Sequence, residues 1–152
     1  MPCRTTRELL EQIIDFHRQL GAFYEETAAK ADREKAKALL EYMGRHEERL
    51  KECLGTYEKL AAKAILDTWF QFIPDIGQCE CFDRIEVGQD MSIEDAIRIS
   101  LWFDDCLIQF FRDMAALSPS SDVKELFGSL AGMEEQEKRK AARAAFELAR
   151  GE

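Results

Sequence analysis

The sequence predicts an all-α protein, a single domain over residues 1–152 built as four long helices around one core. Three observations carry this. Only 3 prolines and 8 glycines occur in 152 residues, so little interrupts a helix, while alanine, glutamate, lysine and leucine are abundant. Apolar residues recur at three- and four-residue intervals in four separate stretches. The balance of 46% apolar against 34% charged residues supplies a core together with solvated outer faces.

The first helix is expected from about Thr6 to Ala31, on the stripe Leu9, Ile13, Phe16, Leu20, Phe23 and Thr27, with Thr5 and Glu8 as a capping box. The second is expected from about Arg33 to Ala64, on Leu39, Met43, His46, Leu50, Cys53, Tyr57 and Leu60. Residues 66–91 break the pattern with Pro74, Gly77 and Gly88 and carry many aromatics for a loop. They read as a long crossover packed against the bundle, with a short helix at its start. The third helix opens at the capping pair Ser92 and Asp95 and runs to about Leu117. After the loop "SPSSD", Asp122 and Glu125 are expected to cap a fourth helix reaching about Ala149.

Short loops join the first helix to the second and the third to the fourth, and a long link joins the two pairs. Two antiparallel helical hairpins joined by one long crossover make a four-helix bundle of the ferritin-like topology. The two halves also match each other. Shifted by 87 residues, Phe16 falls on Phe103, Leu20 on Leu107, Phe23 on Phe110, Leu39 on Leu126, Glu47 on Glu134 and Glu48 on Glu135 without a gap. Such a register across two helices and a loop points to one hairpin, duplicated.

The net charge of −9 argues against a nucleic-acid partner, which needs a basic face, and against adhesion to anionic membranes. No apolar run is long enough to span a membrane, and the start "MPCRTTRELLEQ" lacks the apolar stretch of a signal peptide. The five cysteines, Cys3, Cys53, Cys79, Cys81 and Cys106, are odd in number and scattered, which suggests reduced thiols in a cytoplasm. Cys79 and Cys81 alone do not complete a metal site. Aromatics on both sides of the third helix imply two buried faces, one of them an expected homodimer interface.

The stretch "SLWFDDCLIQFF" sets Asp104 and Asp105 inside an apolar run, and on a helix one of them must turn inward. Asp104 lies on the stripe of Ile97, Leu101 and Phe111, while Asp105 falls toward the flank. The repeat mate of Asp104 is His17. On the fourth helix Glu134 and Glu137 are three apart and therefore neighbours. The inward set is then His17, Glu47, Asp104, Glu134 and Glu137, with His46 beside Glu47 as a weaker member. Burying isolated carboxylates costs several kcal/mol each in order of magnitude. A bound cation removes that cost, and oxygen and nitrogen donors suit iron first, then manganese or zinc.

With these residues placed, the chain resembles the rubrerythrin branch of the ferritin-like superfamily. The pieces that carry the resemblance are "GAFYEETAAKA", "LLEYMGRHEERLKE", "FDRIEVGQDMSIEDAIRISL", "IQFFRDMA" and "KELFGSLAGMEEQEKRK", which together cover most of residues 8–140. The resemblance implies a carboxylate-bridged iron centre, with His17 and Asp104 at the family's first- and third-helix glutamates. It sets Glu47 and Glu134 at the glutamates of the two Glu-x-x-His motifs. Glu137 takes one histidine position of those motifs and Leu50, which cannot bind metal, takes the other. The implied activity is a non-haem iron oxidoreductase acting on peroxide or oxygen. The alternative is a metal-free degenerate bundle that serves as a structural or protein-interaction module, the direction in which the Leu50, His17 and Asp104 replacements point.

Overall fold

The computed structural model describes residues 4–70 and 91–150. The elements are a two-residue strand β1 (Arg4–Thr5), α1 (Thr6–Lys30), α2 (Glu34–Leu60), a single turn α3 (Lys63–Leu66), a two-residue strand β2 (Trp69–Phe70), α4 (Ile93–Leu117) and α5 (Ser121–Arg150). All four long helices fall where the apolar spacing put them. α2 ends at Leu60, short of the expected Ala64, and the separate turn α3 that follows ends where the crossover was expected to begin; most of the crossover, including Cys79 and Cys81, lies outside the described residues.

Capping chemistry sets the helix ends. Thr5 caps α1 by accepting a hydrogen bond from the Glu8 amide. Ser92 and Asp95 form a full capping box at α4, each side chain bonded to the other's backbone N–H. At α5 the cap differs from the expectation. Ser120, not Asp122, accepts from the Val123 amide, so the helix starts two residues earlier, at Ser121. Ser and Asp are equally good caps, and the seryl residue one turn before the first buried apolar position, Val123, is the better placed.

α1 packs along α2 and α4 along α5 as two hairpins, and α2 meets both α4 and α5. α1 and α2 approach closely where Gly21 faces Gly44; a Cβ on either would lie 3.6 Å from the other's carbonyl oxygen. Between α1 and α4 the gap is filled by large rings. Phe103 meets Phe16, Phe23 and Tyr24 edge-on, with centroids 5.8–6.3 Å apart. The core is continuous from Leu9, Leu10 and Ile13 through Leu39, Leu107 and Phe111 to Phe127.

Two expected stripe positions turn out otherwise. Cys53 and Leu60 on α2 are exposed, and Leu54 takes the inward place. The helix drifts against a strict seven-residue repeat, so positions chosen by counting rotate off the seam after several turns. On α4 the buried line is Ala96, Ser100, Phe103, Asp104 and Leu107, one position back from Ile97 and Leu101, which are half-buried.

A short antiparallel pairing, Arg4 with Phe70 and Thr5 with Trp69, ties the start of the chain to the start of the crossover. The Thr6 amide adds a 2.8 Å bond to the Thr68 carbonyl. It seats Phe70 in the core, edge-on to Phe127. Among the described residues no helix is long and apolar enough to cross a membrane, and Cys53 and Cys106 are free thiols.

Candidate functional site

Four ionisable side chains, one from each long helix, are buried near the middle of the bundle. They are His17 on α1 (0% exposed), Glu47 on α2 (2%), Asp104 on α4 (7%) and Glu134 on α5 (1%). Each sits on its helix between apolar core residues, so the periodicity that buries Phe16, Met43, Phe103 and Leu130 carries the polar group inward with them.

His17 is the hub. Its Nδ1 is hydrogen-bonded to Glu47 Oε2, and its Nε2 stands 3.2 Å from Glu134 Oε1. The second contact is close in distance but not aligned as a hydrogen bond: among the described residues, neither His17 Nε2 nor Glu134 Oε1 has a hydrogen-bond partner. The close crossing of α1 and α2 helps bring the first pair together, since a Cβ on Gly21 would touch Glu47 Cβ at 3.5 Å.

The electrostatics follow from burial and crowding of like charge. Burial by itself would lower the His17 pKa, but the nearby charges of Glu47 and Glu134, together with the hydrogen bond to Glu47, outweigh it and raise the value to about 10. Asp104 is pushed up to about 8, first by burial and then by the neighbouring charges of Glu47 and Glu134, with Lys138 and His17 acting the other way. Tyr24 is fully buried beside the same group. Its hydroxyl is held well above the usual range by burial and by Glu47 and Asp104, against a hydrogen bond with Ser100.

Of the expected inward set, then, His17, Glu47, Asp104 and Glu134 are brought together. Glu137 and His46 are not part of that group. They pair with one another instead, His46 Nε2 lying 3.5 Å from Glu137 Oε2. Glu137 is partly solvated and also meets Lys140 at 3.4 Å. His46 is buried against Tyr42, whose ring lies parallel to it at 6.2 Å. Asp105 points outward to Lys138, as the flank position required. Leu50 is buried in the core, three residues after Glu47 on the same face. Tyr24 and Ser100 are the site neighbours that spacing alone did not single out. The signal was present, since Tyr24 lies two turns after His17, but an aromatic at that spacing reads as core.

The donor types suit a transition metal, and the two unpartnered atoms of His17 and Glu134 converge. Among the described residues no three His, Cys, Asp or Glu side chains stand as a ready metal-binding cluster. Glu47 in particular is engaged with His17 Nδ1, the position of a carboxylate that orients a ligating imidazole rather than ligating itself.

No protein-family profile matches the chain, and no curated protein does. Among solved structures, a Thermotoga maritima protein provisionally described as a ferritin-like diiron-carboxylate protein has a similar fold. The TM-score is 0.59, over 97% of this chain and 98% of that one, at 15% sequence identity. Identity at that level speaks for the architecture, and with two hairpins joined by a crossover on the page the architecture is plain: the chain has the ferritin-like four-helix bundle fold.

Proposed function

We propose that the protein binds one transition-metal ion at the centre of the bundle, iron or manganese by the character of its oxygen and nitrogen donors. The observation that carries this is the pair of buried, unpartnered atoms, His17 Nε2 and Glu134 Oε1, 3.2 Å apart. In that reading His17 and Glu134 are the first two ligands and Asp104 turns in as a third. Glu47 holds the imidazole in the tautomer that leaves Nε2 free. An iron ion held with open positions would supply one-electron chemistry toward oxygen or peroxide. Two-iron chemistry asks for about six protein donors. Four buried donors, with Leu50 in a family ligand position and Glu137 drawn off to His46, support a single ion.

The test is the metal content of protein from iron-supplemented cells, and of the same protein after manganese or iron is added and the excess removed. One ion per chain, lost in Glu134→Gln, supports the reading. Fewer than about 0.1 per chain under both conditions rules it out.

A second reading is favoured by a specific observation. The raised pKa of His17 makes it an imidazolium near neutral pH, lying between Glu47 and Glu134. A proton then supplies the positive charge that a metal would, and the bundle is a metal-free structural or interaction module. The absence of a ready three-ligand cluster among the described residues supports the same view. The metal measurement separates the two.

A further inference from the structure

The four central groups have no route to water of their own. His17, Glu47, Asp104 and Glu134 are between 0% and 7% exposed, so an ion that reaches them must pass between helices. We propose that His46 and Glu137 form the port for that passage, a transit station in the seam between α2 and α5 that holds a cation briefly and hands it inward. The inference rests on the metal-binding reading.

The pair spans the boundary between solvent and core. The Glu137 side chain is 21% exposed, whereas that of His46 is 8% exposed. Each lies close in sequence to one of the central groups. His46 precedes Glu47 on α2, and Glu137 follows Glu134 by three residues on α5, an axial step of roughly 4.5 Å at 1.5 Å per residue. Both helices that carry the pair therefore also carry a central carboxylate within one turn of it.

The contact is also loose. At 3.5 Å, His46 Nε2 to Glu137 Oε2 is longer than a normal hydrogen bond, so either side chain can open toward a cation without breaking a strong bond. A groove of about 550 Å³ lies between the start of α2 and the end of α5, with Glu34 and Glu147 as well as Lys35 and Arg45 in its lining. Ala38 and Ala144 form part of its walls, and Tyr42, another lining residue, is stacked parallel on His46 and so connects the groove to the pair. Lys140, 3.4 Å from Glu137 Oε1, competes with an incoming cation for the same carboxylate.

A transit carboxylate and a permanent ligand differ in what their loss changes. Losing a transit group slows loading and leaves the final amount bound unchanged. The experiment is stopped-flow uptake of cobalt(II), followed by its visible absorbance, into chelator-treated full-length protein. It uses wild type, Glu137→Gln, His46→Gln, Lys140→Gln and the exposed control Glu48→Gln. Glu137→Gln and His46→Gln are expected to load at least tenfold more slowly to the same stoichiometry, Lys140→Gln faster, and Glu48→Gln at the wild-type rate. Circular dichroism of each variant establishes that it is folded. Wild-type loading rates in Glu137→Gln and His46→Gln overturn the port, as does lost stoichiometry, which makes Glu137 a resident ligand. Wild-type protein that takes up no cobalt, manganese or iron overturns the metal-binding reading, and the port with it.

Discussion

His17 on α1 and Glu134 on α5 face each other across 3.2 Å in a space closed to water, with no hydrogen bond between them. With Nδ1 bonded to Glu47, Nε2 either carries a proton or turns a lone pair toward the Glu134 oxygen, and the second arrangement is costly in a region of low dielectric unless a positive charge lies between them. The candidates are a proton on the imidazole and a metal ion, and most of what can be tested about this protein follows from their competition.

Metal binding at Nε2 must displace the proton held there, because the His17 pKa is raised to about 10. The apparent affinity for manganese or iron is therefore expected to rise about tenfold per pH unit between roughly pH 6 and pH 8, with one proton released per ion. Titration calorimetry in buffers of different ionisation enthalpy counts that proton. Affinity that does not change with pH would place the ion away from His17.

In chelator-treated protein, replacing His17 by Leu leaves Glu47 and Glu134 buried without their cation. Breaking a buried pair in this way costs about 3–5 kcal/mol, and the loss should appear as a lower urea midpoint at pH 7. Adding Glu47→Gln and Glu134→Gln to His17→Leu should recover most of it, since the stranded charges are then gone. A His17→Leu variant as stable as wild type would mean that the imidazole carries no charge.

The pH dependence of the metal-free protein has a definite sign. The folded pKa of His17, about 10, lies above its ordinary 6.5, so its stabilisation is fully present below about pH 6.5 and lost as pH rises through 10. Asp104 is raised from 3.8 to about 8, so its penalty is absent below about pH 4 and complete above about pH 8. Both make the folded chain hold protons that the unfolded chain has released, and stability should fall steadily from pH 5 to pH 9. Asp104→Asn should flatten the part below pH 8 and stabilise the protein at neutral pH. Equal urea midpoints at pH 5 and pH 8 would contradict the buried placement of these groups.

Glycines on the same bundle should respond in opposite ways. A Cβ on Gly128 or Gly132 meets nothing within 4 Å, so Gly→Ala at either should add about 0.5–1 kcal/mol from helix propensity. At Gly44 a Cβ lies 3.2 Å from Glu25 Cγ and 3.6 Å from the Gly21 carbonyl. Alanine needs only Glu25 to shift, but Gly44→Leu must push α1 from α2 and should cost about 1–3 kcal/mol. It should also weaken metal binding by drawing His17 from Glu47. Thermal melts with and without metal read both effects.

Much of this arrangement is legible without coordinates because it follows from local periodicity. The 3.6-residue repeat puts Asp104 inward and Asp105 outward, and the 87-residue repeat pairs Glu47 with Glu134; both glutamates are buried at the centre. Capping residues mark the starts of α1 and α4 to the residue, while at α5 two competent caps lie close together and their choice depends on where Val123 is buried.

What the local spacing left open has a common cause as well. Glu137 is three residues after Glu134, about 60° around the helix, a turn that leaves it either in the core or at its edge. Its side of the seam was decided by His46 on another helix. The pairing of Arg4 and Thr5 with Trp69 and Phe70 joins segments more than sixty residues apart and leaves no periodic trace in so few residues.

The sequence by itself determined four helices, their inward faces and the acid and imidazole groups carried on those faces, because each depends on side chains within a turn or two of one another. Only the tertiary structure decided which of those groups meet. His17 bridges α2 and α5, and His46 takes Glu137 away from the centre, because contact between helices depends on how their axes cross and slide, which no single helix encodes.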